Sequence, residues 1–316
     1  MKRKLSIIVP YYNASEFVDC LLNSLNNQTV NDFEVIFIND ASSKEDIKKF
    51  NDKLKKCKFL YKMYTNIKNS GPGASRNIGI KKSNCEYLTF VDADDYISSN
   101  FVEKIINIIS INAPDLILFD YYMVDVDKYI KKKFLTKDNK FIDKDYVLAL
   151  TTGMCWGKVY LKSIILENNI NFPTIIRGED LAFVKVFISK CKKNYYLADY
   201  LYYYVKNTTS IMHRTNTLNI NDNITAYNYM ISNIEFNESI EMVYIREYLY
   251  LVTQIMILKK YKKDDIIKHI DKFFLAYPNW GKNKFIKYQP FYMKILLFFI
   301  KNKILFPLKI AFKFKK

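Results

Sequence analysis

Over its first 120 or so residues the chain alternates short apolar runs with amphipathic stretches, and this alternation leaves few folds open. Leu5–Val9, Phe33–Ile38, Lys58–Tyr64, Glu86–Val91 and Asp115–Tyr121 have the length and composition of strands. Between them, Ser15–Asn27, Ile47–Lys56, Ala74–Lys82 and Phe101–Ile111 carry helical spacing. In the first of these, Phe17, Leu21, Leu22 and Leu25 fall on one face. A β-α-β-α order implies an α/β fold, a mostly parallel sheet flanked by helices on both faces. Ligands of such sheets bind beyond the carboxyl ends of the strands, so the residues that follow each strand are the ones to read for chemistry.

Three carboxylates follow the fourth run within four positions, in Asp92-Ala93-Asp94-Asp95. Paired Asp side chains at a strand end suit a hard divalent cation such as Mg²⁺ or Mn²⁺, which completes its shell with substrate phosphates. The same residues also cap helices and turn chains in many loops. Pro10-Tyr11-Tyr12-Asn13 closes the first strand; proline cannot extend a ladder, so the chain is expected to turn there. Asp40, after the second strand, can accept from a base or ribose, or can cap the helix beyond Ser43. Gly71, Gly73 and Gly79 are three of only seven glycines. They fall at a helix start, where free N–H groups and close backbone approach favour an anion, and Arg76 adds a fork for phosphate. Glu179 and Asp180 open a later helix, where the macrodipole favours carboxylates in any protein and where one of them can act as a general base. His213, beside Arg214, is read either as a surface residue or as a group near the metal or diphosphate.

Further along, Asp143–Leu150, Leu161–Glu167 and Glu179–Cys191 read as helices and Tyr195–Val205 as a strand pair or hairpin. From about Leu218 the pattern is helical, so we expect a catalytic unit over 1–215 and a helical region over 216–316. Five cysteines without CxxC spacing argue against a disulfide framework or zinc site and for a reducing compartment. The first apolar run is too short for a signal peptide, so a cytoplasmic location is expected. Eleven of the +17 net charges come from lysines between Lys272 and Lys316, a segment without acidic residues. Within 285–316 these lysines alternate with Phe291, Ile295 and Phe298, and Lys287, Lys294 and Lys301 share a helical spacing. That is the pattern of an interfacial helix on an anionic membrane surface, on the inner face of the cell membrane, or of a helix docked on the protein's own core. The positive charge is segregated from the carboxylates and no nucleic-acid motif appears, so nucleic acid is not an expected partner.

Five segments stand in a familiar order: Ser6-Ile7-Ile8-Val9-Pro10-Tyr11-Tyr12-Asn13, Ile38-Asn39-Asp40-Ala41-Ser42, Gly71-Pro72-Gly73-Ala74-Ser75-Arg76-Asn77, Val91-Asp92-Ala93-Asp94-Asp95 and Gly178-Glu179-Asp180. Together they resemble the family 2 glycosyltransferases, over about residues 4–215. The resemblance implies a Rossmann-like GT-A fold and a non-processive bacterial enzyme. The implied activity is inverting transfer of a sugar from a nucleotide sugar, a UDP-sugar by family habit. The implied acceptor is a saccharide or lipid-linked saccharide in cell-surface polysaccharide synthesis. Pro10, Tyr12, Asn13 and Asp40 would cradle the nucleotide. Gly71, Gly73 and Arg76 would lie at the diphosphate. Asp92 and Ala93 would sit near the ribose, and Asp94, with Asp92 and His213, would hold Mn²⁺ or Mg²⁺. Asp180 would be the base, with Glu179 placing the acceptor beside Trp156 and Lys158; core packing is the other reading of Trp156. The QxxRW signature of processive synthases is absent, since neither Trp156 nor Trp280 follows an arginine. The alternatives are a sugar-phosphate nucleotidyltransferase, which would carry a basic Gly-rich loop after the first strand, and a non-enzymatic basic protein binding membrane or nucleic acid.

Overall fold

The structure is a computed structural model that describes residues 3–126, 128–135, 140–206 and 219–313. The strands are β1 (Leu5–Tyr11), β2 (Phe33–Asn39), β3 (Tyr61–Thr65), β4 (Tyr87–Phe90), β5 (Tyr96–Ile97), β6 (Leu116–Asp125), β7 (Lys128–Lys132), β8 (Phe141–Ile142), β9 (Lys158–Leu161) and β10 (Asn194–Val205). They form one sheet in the order β3-β2-β1-β4-β9-β6-β10-β5, with β7 beside β6 and β8 beside β10. The β3-β2-β1-β4 half is parallel, and β9 runs antiparallel between β4 and β6. β2 is buried at every position and β1 at all but Pro10, because helices cover both faces, as a parallel sheet requires. The expected mixed, mostly parallel α/β sheet is therefore the observed one.

Several boundaries differ for physical reasons. β1 does not end at Pro10 but runs through it, paired to Ile38 of β2. Pairing to β4 stops at Ile8, so the proline stands where the ladder is one-sided. The helix expected from Ser15 begins at Asp19. The expected hairpin over Tyr195–Val205 is a single long strand that follows β6 in parallel, with register shifts between Leu197 and Tyr202. Strands β5, β7, β8 and β9 had no clear sequence signal, since two to five residues carry too little periodicity.

Beyond Ile220 the described elements are all helical, and the apolar core runs without a break from Leu5 to Phe312. The helix Ile220–Asn233 packs on Glu179–Lys190, so the helical region backs the carboxylate-bearing helix. The tail breaks at Pro290 into a 3₁₀ turn, Lys284–Tyr288, and the helices Phe291–Lys301 and Leu305–Lys313. Lys287 therefore does not share a continuous helix face with Lys294 and Lys301; instead the Lys294 Nζ donates to the Lys287 carbonyl. Met293, Leu296, Leu297, Ile300, Leu308 and Phe312 dock on the core, while Phe291 (78% exposed), Phe298 (58%) and Phe306 (73%) point outward. No helix among the described residues is long and apolar enough to cross a membrane.

Candidate active site

The helix Pro72–Lys82 is the hub on which the site is assembled. It follows β3 through the loop 66–71, which binds Asp40, and its Arg76 reaches Asp92 and Asp180. Gly71 precedes it at φ +85°, a conformation that glycine adopts without strain. Asp40 sits just beyond β2 and is almost fully buried. Its Oδ2 accepts from the Gly71 N–H at 2.8 Å and from the Ser70 N–H at 3.1 Å; its Oδ1 accepts from Ser70 N–H at 2.9 Å and Asn66 Nδ2 at 2.7 Å. The anion that this helix start attracts is thus the protein's own Asp40. Nor does Asp40 cap the helix Lys44–Leu54, since Ser43 does so, accepting from the Asp46 N–H at 3.2 Å.

One turn into the helix, Arg76 is 4% exposed. Its Nη2 donates to Asp92 Oδ1 at 2.8 Å and its Nη1 to Asp180 Oδ1 at 2.7 Å, with Glu179 Oε1 at 3.7 Å. The sequence suggested that Arg76 faces phosphate; here its fork bridges two carboxylates instead, because burial of a cation demands partners of opposite charge. Burial opposes the charge on Arg76, but Asp180, Asp92 and Glu179 outweigh it and hold the guanidinium ionised. Its Nε has no hydrogen-bond partner among the described residues.

Gly73 and Gly79 are small for reasons of packing. A Cβ on Gly73 would stand 3.0 Å from Glu179 Cγ and 3.2 Å from Phe172 Cβ; one on Gly79 would collide with Ile8. Gly73 therefore admits Glu179 to the cluster, and Gly79 lets the helix lie close on β1. Asn77, beside Arg76, exchanges two hydrogen bonds of 2.9 Å with the backbone of Phe172, whose ring lies 5.6 Å from the guanidinium. Phe172 was not singled out from the sequence, and Asn77 was quoted only as the end of the glycine segment, with no role; an Asn inside a helix, which needs a partner for its amide, was the available signal.

Asp180 lies in the first turn of the helix Glu179–Lys190, whose N-cap Gly178 has φ +87°. Its second oxygen, Oδ2, accepts from the Cys155 N–H at 3.4 Å. Burial raises the pKa of Asp180, and Arg76 opposes that shift. Glu179 is pushed up to about 8, by burial first and by neighbouring Asp180 second. Burial thus favours the protonated form of both carboxyls, and the Arg76 guanidinium opposes it at each.

Asp92 and Asp94 follow β4 and keep partial exposure, whereas Asp95 is buried. The Asp92 N–H donates to the Tyr202 hydroxyl at 3.3 Å, which donates to Asp95 Oδ2 at 2.5 Å, and the Val205 N–H donates to Asp95 Oδ1 at 2.8 Å. Asp95 thus fastens the Asp-x-Asp turn to β10. Among the described residues, no set of three or more His, Cys, Asp or Glu side chains is placed to hold a metal. His213 lies outside the described residues. Two hard carboxylates fit a Mg²⁺ or Mn²⁺ that keeps water and takes its remaining oxygens from a diphosphate.

Both acceptor-side candidates lie in the core, which for Trp156 is the other reading given above. Trp156 is 5% exposed and sandwiched flat against Tyr202 (4.7 Å) and Tyr204 (5.4 Å), so no ring face is left for a sugar. Lys158 is fully buried, and its Nζ donates to the Met154 carbonyl at 2.6 Å and lies 4.1 Å from the Phe134 ring. Burial lowers its pKa to about 7, and it serves the core rather than an acceptor. On the other side, Tyr12 stands half-exposed at the end of β1, and Pro10 precedes it in the strand. Asn13, at φ +45°, accepts from the Ser43 N–H at 2.9 Å, tying β1 to the segment after Asp40. Ala93 is buried within the Asp turn.

A family model described as Glycosyl transferase family 2 matches residues 6–168. The poly(ribitol-phosphate) beta-glucosyltransferase of Bacillus spizizenii is 34% identical over 206 residues, which are 64% of this chain and 32% of that protein. The poly(ribitol-phosphate) beta-N-acetylglucosaminyltransferase TarP of Staphylococcus aureus is 32% identical over 213 residues, 65% of this chain and 63% of that one. The chain thus spans from about a third to under two thirds of these relatives. The crystal structure of S. aureus TarS 1–349 with UDP-GlcNAc has the same fold, with a TM-score of 0.72 and 22% identity over 95% of this chain and 88% of that one.

Proposed function

The chain belongs to glycosyl transferase family 2, with its GT-A fold, and from that premise we propose that it transfers a sugar with inversion from a UDP-sugar to a hydroxyl of a saccharide or lipid-linked saccharide in cell-surface polymer synthesis. The relatives named for poly(ribitol-phosphate) transfer support this substrate class. The observation that carries the reading is the bridge through Arg76. It sets Asp92, on the donor turn, and Asp180, at a helix start, on two nitrogens of one guanidinium.

In this reading Asp180 takes the proton of the acceptor hydroxyl as that oxygen attacks the anomeric carbon from the face opposite the leaving diphosphate. Such a base contributes about 10²–10⁴-fold. Arg76 favours the ionised form of Asp180 and opposes the rise in pKa that burial causes. Glu179, whose burial favours the protonated form, offers a donor hydrogen bond to acceptor or donor sugar. Tyr12 offers an exposed ring to the base, with Pro10, Asn13, Asp40, Gly71 and Gly73 shaping the nucleotide edge of the pocket. Asp94 and Asp92 would hold Mn²⁺ or Mg²⁺, which when bound neutralises charge on the departing nucleoside diphosphate.

The outward face of the tail, with Phe291, Phe298 and Phe306 among its lysines, supports a peripheral seat on an anionic membrane, where a lipid-linked acceptor would reside.

A screen of nucleotide sugars tests the function. With Mn²⁺ or Mg²⁺ and mixed saccharide acceptors including poly(ribitol phosphate), acceptor-dependent release of UDP supports it. Release of pyrophosphate from a nucleoside triphosphate and a sugar phosphate would instead identify a nucleotidyltransferase.

A further inference from the structure

Tyr202 and Tyr203 are successive residues of β10 and point to opposite faces of the sheet. Tyr202 lies against Trp156. Tyr203, on the other face, stacks on Tyr96 at 4.5 Å and on Tyr122 at 5.2 Å, its cross-strand neighbours in β5 and β6. Tyr129 of β7 meets Tyr203 edge-on at 6.1 Å and is 57% exposed. These four tyrosines line an open cleft of about 420 Å³. Cross-strand aromatic pairs stabilise a sheet. That role alone is best served by covering the rings, whereas here none of the four is fully buried.

Two further facts indicate what the cleft would take. Lys131 shares the face of Tyr129 in β7, two residues on, and its Nζ lies 5.2 Å over the ring of Tyr200. Tyr96 directly follows Asp95 and so belongs to the same turn as the donor-side carboxylates. The negative face of a tyrosine ring attracts the positively polarised C–H groups of a sugar, and lysine meets phosphate as a point charge. The rings already stack on one another at 4.5 and 5.2 Å, which leaves outer faces and edges but no slot for an intercalated base.

We propose that this tyrosine platform, with Lys131, is a secondary subsite for a phosphate-bearing saccharide or polyol chain, holding a polymeric acceptor around the sheet edge from the reaction centre. The inference rests on the glycosyltransferase reading above. In use, sugar or polyol units lie along the Tyr129–Tyr203 surface while a phosphate pairs with Lys131, and the chain end passes to the Asp92–Asp180 cluster.

Titration calorimetry of the full chain with poly(ribitol phosphate), neutral dextran and polyuridylate tests it. Poly(ribitol phosphate) is expected to bind the wild type in a salt-sensitive manner. Tyr129→Ala and Lys131→Ala should each weaken that binding by about tenfold, the loss of about 1.4 kcal/mol. Tyr129→Phe, which keeps the ring, should bind as the wild type does. UDP affinity and turnover on a monosaccharide acceptor should be unchanged in all three, with KM raised only for the polymer. Polymer binding unaffected by Tyr129→Ala and Lys131→Ala, no polymer binding by the wild type, or preference for polyuridylate would each overturn the subsite. Sugar transfer to a monosaccharide with release of UDP would still leave the transferase reading standing, so the two failures are separable.

Discussion

Arg76 and Asp180 lie 104 residues apart in the chain and meet at 2.7 Å, with the same guanidinium reaching Asp92 at 2.8 Å. This contact joins a helix that leaves the parallel half of the sheet to the helix that carries the proposed base. It also opposes the burial that raises the pKa of that base, and the first prediction tests it.

Arg76→Met keeps bulk but takes from Asp92, Asp180 and Glu179 the buried cation that they share. Removing one partner of a buried pair typically costs about 3–5 kcal/mol. Melting should therefore fall by roughly 6–20 °C at about 2–4 °C per kcal/mol. Arg76 lowers the pKa of Asp180, so in the variant the base protonates more readily and the acidic limb of the kcat profile moves to higher pH. Equal melting temperatures together with an unmoved limb would show that the bridge matters to neither property.

Glu179 supplies a pH dependence of known sign. Its folded value of about 8 lies above its ordinary 4.5. The folded state thus binds a proton that the unfolded chain releases earlier. The stability this group contributes is fully present below about pH 4.5 and falls as pH rises toward 8. Glu179→Gln should accordingly match the wild type near pH 5 and melt several degrees higher near pH 9. A constant gap between the two melting curves across that range would contradict the shift.

Gly73→Ala tests whether a missing side chain admits Glu179. The new Cβ would press on Glu179 Cγ at 3.0 Å and Phe172 Cβ at 3.2 Å. Displacement near 1 Å at a reaction centre costs about 10²-fold in rate. We expect kcat to fall by at least tenfold toward that limit. Unchanged kcat would mean that the Glu179 position does not matter to transfer.

The parallel half of the fold was readable because each strand is long enough to show a buried run and each helix shows a face. The antiparallel part was not, because β9 has four residues and its partners are set by tertiary packing. At the site, the acidic and glycine positions could be named, but not what they do for one another. Asp40 bonding Ser70 and Gly71, and Gly73 making room for Glu179, are contacts between distant segments that no local spacing encodes. Core packing is one of the two readings of Trp156, and the placement of Lys158 depends on neighbours that local spacing does not reveal. Here Tyr202 and Tyr204 cover the one, and Met154 and Phe134 hold the other.

The tail calls for surface substitution rather than deletion. Cutting near residue 282 would strip Leu297, Ile300, Leu308 and Phe312 from the core and unfold its neighbourhood. Phe291→Ser with Phe298→Ser and Phe306→Ser leaves the docked face intact. The triple variant should lose most binding to vesicles containing anionic lipid in a flotation assay while melting within about 2 °C of the wild type. Undiminished flotation would place membrane attraction elsewhere.

The central claim, that Asp180 is the base of a sugar transfer whose donor is bound independently of it, is tested most directly by Asp180→Asn. Calorimetry with UDP and rapid-quench transfer from the matched UDP-sugar should be measured on the same preparation. The account predicts UDP affinity within about threefold of the wild type and a transfer rate lowered by about 10²–10⁴-fold. Transfer at the wild-type rate would contradict it.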